Sequence, residues 1–255
     1  MTEQVTIIGL RGVPMVQPGD NLSAIAISAL VDADLAPEAG DVLVVAQKIV
    51  SKAENRFVDV GSVTPSARAI ELGAQTGKDP RFVEVVLSES RRIVRHRANL
   101  IVAEHNLGFV MANAGIDHSN VAVDDGTERV LLLPVDPDGS AHALREQLIA
   151  AYGVPIGVII SDSFGRPWRR GTVGVALGAA GLPAIIDWRG HPDLFDRPLE
   201  VTETGFADEI AAAASLVMGQ ADEGMPIVLV RGLKWVAPDA PVADLVRPPE
   251  HDLFR

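Results

Sequence analysis

The sequence predicts an α+β fold in which mixed β-sheets carry flanking helices. Apolar, β-branched runs such as Val42-Leu43-Val44-Val45 and Ile156-Gly157-Val158-Ile159-Ile160 have the length and composition of strands covered on both faces. From Leu100 onward several strands follow one another without intervening helices, a pattern that disfavours a doubly wound α/β chain. The chain has 255 residues, 47% of them hydrophobic and 22% charged, enough to bury roughly 70 to 75% of its unfolded surface. Length allows one large domain or two smaller ones sharing an interface, and composition excludes a disordered or collagen-like chain.

Residues 5–10, Val-Thr-Ile-Ile-Gly-Leu, form the first expected strand, ended by Pro14, Pro18 and Gly19. Asp20 then stands as N-cap for a helix over about residues 21–34. Gly40-Asp41 opens a buried strand expected over 42–50, with Lys48, Ser51, Lys52 and Glu54 at its polar end. Two helical patterns follow in 65–97. The first opens at Pro65. The second has Asp79 as N-cap and Pro80 in its first turn, with Phe82, Val85, Val86, Glu89 and Ile93 at helical spacing. Its end carries Arg91, Arg92, Arg95, His96 and Arg97, which as a last turn would complement the helix dipole.

Strands are expected over 100–103, 108–112 and 130–133, then a helix from Ser140 to about Tyr152. Further strands are expected over 156–161, 184–187 and 227–230, with an alanine-rich helix over 206–218 before the last. No internal repeat or low-complexity linker interrupts the order.

Charge narrows the functions open to such a fold. Twenty-two basic residues against thirty-four acidic ones leave a formal charge of -12, a field that repels nucleic-acid backbones and anionic lipid surfaces. A small anion can bind only where basic side chains, backbone amides or a divalent metal reverse the sign locally. Absence of cysteine removes disulfides, thiolate nucleophiles and cysteine-zinc sites. Residues 171–186 are the longest uncharged apolar run, but four glycines and a proline break it, and it falls short of the about 20 residues of a membrane span. With no basic segment at the start of the chain, the expectation is a cytoplasmic protein.

No phosphate loop or dinucleotide fingerprint is present, and Gly171, Gly174, Gly178 and Gly181 read better as packing or turn positions than as a phosphate cradle. The densest chemistry is Ser161-Asp162-Ser163-Phe164-Gly165-Arg166-Pro167-Trp168-Arg169-Arg170, directly after an apolar strand. A carboxylate and a hydroxyl suit a hard divalent ion that keeps positions for phosphate oxygens, and arginines clamp the remaining charge. The alternative is a Ser-Asp turn with surface arginines. A second cluster, Asn113-Ala114-Gly115-Ile116-Asp117-His118-Ser119-Asn120, also ends an apolar strand, so Asp117 and Asp162 could share Mg²⁺ or Mn²⁺. His118 has no second histidine at zinc-ligand spacing. Lys48 and Lys52 would share a face if their strand continued, either to grip a phosphate or to snorkel. Asp136 and Asp138 fit turn and capping roles.

Four segments in order resemble the coenzyme F-420-0:L-glutamate ligase (gamma-glutamyl ligase) family. They are Gly40-Asp41 through Gln47-Lys48-Ile49-Val50-Ser51-Lys52-Ala53-Glu54, Ala112-Asn113-Ala114-Gly115-Ile116-Asp117-His118-Ser119-Asn120, Leu133-Pro134-Val135-Asp136-Pro137-Asp138-Gly139-Ser140-Ala141, and Asp162-Ser163-Phe164-Gly165-Arg166-Pro167-Trp168-Arg169. The resemblance implies an α+β ligase domain over residues 1–255, built as an intertwined homodimer, without the flavin-binding domain that follows in actinobacterial relatives. It implies a GTP-dependent enzyme that adds L-glutamate to F-420-0 and extends a gamma-linked tail, releasing GDP and phosphate. The implied metal ligands for Mg²⁺ or Mn²⁺ are Asp117, Asp162, Ser163 and Glu203, with K⁺ as an accompanying ion.

The implied GTP contacts are Leu10, Arg11, Gly12, Val13, Lys48 and Asn120, with Val201, Thr202, Glu203, Thr204 and Asp208. Lys48, Arg166 and Arg169 would stabilise charge in transfer. Three departures from the family pattern bear on this, one of them the N-terminal Gly9-Leu10-Arg11-Gly12-Val13-Pro14, which is longer than the usual form. Ser163 stands where threonine is usual and keeps the hydroxyl, while Asp196 stands where glycine is common. The competing readings are a metal-dependent phosphohydrolase and a non-catalytic deazaflavin-binding carrier.

Overall fold

In the computed structural model, which describes residues 3–118 and 128–253, two of the apolar runs named above lie side by side at the centre of a five-stranded sheet. The elements in chain order are β1 (Thr6–Gly9), α1 (Leu22–Asp32), β2 (Val42–Ala46), α2 (Gln47–Ala53), β3 (Phe57–Asp59), α3 (Ala67–Thr76), α4 (Pro80–Ser88), β4 (Ser90–Arg97) and β5 (Leu100–His105). There follow β6 (Val110–Ala112), β7 (Arg129–Leu131), α5 (Pro137–Tyr152), β8 (Gly157–Gly165), β9 (Thr172–Ala180), β10 (Ile186–Asp187), β11 (Glu203–Thr204), α6 (Phe206–Met218) and β12 (Ile227–Arg231). The fold is therefore α+β with mixed sheets and flanking helices, as the sequence predicts.

The large sheet runs β1-β12-β2-β8-β9, antiparallel except for the central β2–β8 pair. Strand alternation divides its side chains between two apolar layers. Leu43, Val45, Val158, Ile160, Ile227 and Leu229 pack with α1 and α5. Val42, Val44, Ile159, Val228 and Val230 pack with α6. Gly174 and Gly178 are packing positions: a Cβ on Gly174 would collide with the Ala211 carbonyl of α6, and one on Gly178 with the backbone of Pro137 in α5. A separate core joins α3 and α4 to the sheet β4-β5-β6 through Leu72, Phe82, Val86, Ile101 and Ala103.

Several expectations are corrected. The strand expected to run to Val50 ends at Ala46, and Gln47–Ala53 is a helix. Beyond Ala46 the buried residues Gln47, Val50 and Ser51 return at helical spacing, and the Ser51 hydroxyl donates to Gln47 Oε1 one turn back at 3.0 Å. The arginine-rich segment is no helix end. Helix α4 stops at Ser88, and Ser90–Arg97 forms strand β4, whose Arg92 pairs across the sheet with Glu104 at 2.7 Å.

The cap of α1 is Asn21, which accepts from the Ala24 N–H, while Asp20 accepts from the Gln17 N–H. Helix α5 begins earlier than expected and is capped by Asp136, not Ser140. Strand β9, inside the glycine-broken apolar run, has no counterpart in the sequence reading.

Candidate functional site

Because β2 and β8 are parallel neighbours, with Ala46 opposite Ser161, their carboxyl ends deliver Lys48 and Asp162 to the same edge of the sheet. The crevice beyond such strand ends is where α/β sheets commonly bind ligands. Here it is a cavity of about 690 Å³, lined among others by Lys48, Lys52, Asn113, Asp117, Asp162, Ser163 and Gln220.

Asp117 reaches it through an unusual turn. Asn113, Ala114 and Gly115 have φ of 50°, 53° and 69°; asparagine and glycine tolerate the left-handed region, but alanine seldom adopts it. Such strain persists only where surrounding packing holds it. Here Ala114 is buried in the core of α3 and α4, and Gly115 lies against Leu133. The turn sets Asp117 opposite Leu131, with both backbone hydrogen bonds made, at 3.0 and 2.9 Å. Its carboxylate meets Lys48 Nζ at 2.7 Å.

Asp162 follows a bulge in the β8–β9 ladder between Ile160 and Ser161. Burial pushes its carboxyl up from 3.8 to about 6; the neighbouring Asp117 adds to the shift, and the Ser163 N–H and the Lys48 ammonium oppose it. Ser163 Oγ donates to Gln220 Oε1 at 2.7 Å. Lys52, one helical turn after Lys48, is buried and has its pKa lowered, first by burial and then by Lys48, with Asp117 opposing.

The implied metal can be tested against these residues. Asp117, Asp162, Ser163 and Gln220 offer oxygen donors, and a carboxyl whose proton affinity is raised by burial and by a neighbouring carboxylate is what a hard cation relieves. The donor chemistry fits Mg²⁺ or Mn²⁺. Among the described residues no group of three His, Asp or Glu is gathered for a metal, so hydroxyl and amide oxygens would have to complete the set. His118 does not line the cavity, and its ring packs on Phe82 at 4.9 Å between centroids.

Other residues named from the sequence lie outside this cavity. Arg166 and Arg169 are exposed on the turn between β8 and β9. Glu203, in β11, is exposed and pairs with Arg189 at 3.3 Å. Val201 and Thr202 are exposed, and Thr204 Oγ1 accepts from Trp188 Nε1 at 3.0 Å. Asp208 accepts from the Ala176 N–H at 2.8 Å, satisfying the backbone beside the β8–β9 bulge, and burial raises its pKa. Leu10 is a core residue, Arg11 is exposed, Gly12 has a φ of 77°, and Val13 packs on the core; none of the four lines the cavity. Asp196 is exposed with a φ of 60°. Asn120 lies outside the described residues.

The segment 219–226, Gly-Gln-Ala-Asp-Glu-Gly-Met-Pro, forms a wall of the cavity and is not among the residues expected from the sequence. A signal was available. The segment joins α6 to β12, and a polar, glycine-rich link entering a strand next to β2 ends up beside the carboxyl end of β2.

A family model described as F420-0:Gamma-glutamyl ligase matches residues 11–232. The chain is 49% identical over 253 residues to the coenzyme F420:L-glutamate ligase of Methanothermobacter thermautotrophicus, covering 98% of this chain and 99% of that protein. It is 42% identical to the enzyme of the same name from Methanocaldococcus jannaschii over 99% of this chain and 97% of that one. For the Methanopyrus kandleri protein of that name the figures are 46%, 94% and 93%, so the similarity is nearly end to end in all three.

Proposed function

This chain belongs to the F420-0:gamma-glutamyl ligase family, and from that premise we propose that it is a GTP-dependent ligase joining L-glutamate to F-420-0 and then extending a gamma-linked tail. The observation that carries the chemistry is the convergence of Lys48, Asp117, Asp162, Ser163 and Gln220 in one cavity at the ends of β2 and β8.

A carboxylate is a poor acyl donor until one oxygen becomes a phosphate leaving group. In this reading GTP phosphorylates the terminal carboxylate of the acceptor, GDP leaves, and the glutamate amine attacks the acyl phosphate and releases phosphate. Phosphoryl transfer depends mainly on positioning and on countering charge. Lys48 supplies a cation next to the transferred group, and Asp117 keeps its ammonium aimed into the cavity. Asp117, Asp162, Ser163 and Gln220 would hold Mg²⁺ or Mn²⁺, which when bound neutralises phosphate oxygens. K⁺ is proposed as an accompanying ion.

Arg166, Arg169, Val201, Thr202 and Glu203 are exposed and do not line the cavity of a single chain, so in this reading a second copy brings them to a site. The homodimer implied by the resemblance would supply it. Exposed apolar side chains in two loops, Trp168 at 87%, Leu194 at 99% and Phe195 at 77%, are surface that such an interface would cover. A single ligase domain over residues 1–255 and a cytoplasmic location are parts of the same proposal. Among the described residues no helix is long and apolar enough to cross a membrane.

The comparisons lend no support to the phosphohydrolase or carrier readings. The test is GDP release measured with acceptor and glutamate supplied separately and together. A ligase releases GDP steadily only when both are present; GTP cleavage at the same rate without glutamate would contradict the proposal.

A further inference from the structure

Helix α2 presents two lysines to the cavity, and their surroundings differ. Lys48 is ion-paired with Asp117 at 2.7 Å. Lys52 is only 8% exposed, lines the same cavity, and has no hydrogen bond or ion pair to its amine among the described residues. Partial desolvation of an ammonium that touches no counter-ion directly favours its neutral form, so the proton is lost more readily here than in water. The direction found for Lys52 agrees: burial lowers its pKa, Lys48 lowers it further, and Asp117 opposes. The other titratable groups lining the cavity are Asp162 from β8 and Asp222 and Glu223 from the 219–226 wall, where Glu223 is turned back to accept from the Ala221 N–H.

The ligase reading leaves one task unassigned. L-Glutamate arrives as an ammonium ion, which has no lone pair to attack with. Lys48 is held by a carboxylate, His118 does not line the cavity, and Asp117 and Asp162 are assigned to the cation. We propose that Lys52 is the catalytic base of the amide-forming step, an inference that rests on the ligase reading. Its neutral amine takes one proton from the glutamate ammonium. The freed lone pair forms the C–N bond at the acyl carbon, while the C–O bond to phosphate breaks and its electron pair leaves with inorganic phosphate. The second nitrogen proton goes to the departing phosphate, and Lys52 returns its own to solvent through the cavity mouth.

The base is needed for glutamate but not for a nucleophile that is already neutral. Wild type, Lys52→Met and Lys52→Arg are therefore given F-420-0, GTP and Mn²⁺ with either L-glutamate or hydroxylamine, and amide and hydroxamate are quantified by mass spectrometry. The expected result is that both variants lose at least about 100-fold in glutamyl transfer, the low end of what general-base catalysis supplies, while hydroxamate forms at close to the wild-type rate.

Undiminished glutamyl transfer in both variants would overturn the proposal. So would loss of both products in Lys52→Arg, since Lys52 would then serve the phosphoryl step or the fold. If Lys52→Met alone makes neither product, Lys52→Arg decides. Wild type that makes neither hydroxamate nor amide would refute the ligase reading itself, a separate outcome.

Discussion

Asp162 is pulled two ways, since burial favours its proton and its proposed role needs the charge. With a folded-state pKa of about 6 against an ordinary 3.8, the native state holds the proton more tightly than the unfolded one. Stability of the metal-free protein should therefore fall as pH rises through that window and recover as pH drops through about 6. Asp162→Asn removes this dependence. Urea unfolding in chelator at pH 7.5 should show the variant more stable than wild type by about 2 kcal/mol once solvent screening is allowed for, while its ligase rate falls by orders of magnitude. Asp136 makes the contrast. It caps α5, accepting from the Gly139 N–H at 3.0 Å, so Asp136→Ala should cost about 1 kcal/mol in denaturation and leave turnover largely intact. Asp117, Asp162, Ser163 and Lys48 were legible as single residues because carboxylates and cations at the ends of apolar strands have few structural reasons to be there. Gln220 was not, since a lone amide in a polar link carries no such mark.

Among the elements, α2 shows what periodicity cannot decide. Val42 through Val50 is apolar except at Gln47 and Lys48, largely β-branched, and reads as one strand, yet the chain turns from strand to helix at Gln47. Short apolar runs read equally as either, and tertiary packing against α1 and α5 chose the helix. The change matters for the site: Lys48 and Lys52 share a face by helical spacing instead of strand alternation. Strand β4 departs from the expected helix for the opposite reason, because Ile93 happens to continue the spacing of α4 while its partners lie across the sheet in β5.

Where β2 begins, Asp41 is almost fully buried and receives a forked pair of hydrogen bonds from Arg231 at the end of β12, at 3.0 and 2.7 Å. Arg231→Met leaves that carboxylate the Glu38 N–H but no counter-charge, and should destabilise the fold by about 3 kcal/mol, read as a shift in the urea midpoint with unchanged slope. A midpoint equal to wild type would show that water reaches Asp41.

At the scale of the molecule, the sheet order β1-β12-β2-β8-β9 brings together residues from 48 to 220, a convergence that nothing local in the sequence announces. The same scale accounts for the arginines. If Arg166 and Arg169 serve a partner's cavity, a mixture of Asp162→Ala with the double variant Arg166→Ala/Arg169→Ala should regain activity that neither has alone. Arginines acting within their own chain would give no recovery. Introducing Asp at both Leu194 and Phe195 should shift sedimentation towards monomer and lower activity with it.

The central claim is tested most directly by mass spectrometry of F-420-0 incubated with the protein, GTP, Mn²⁺ and L-glutamate, with each component omitted in turn. Ligase activity requires masses rising by whole glutamyl units, and only when all components are present. An unchanged acceptor, with GTP consumed whether or not glutamate is there, would contradict it.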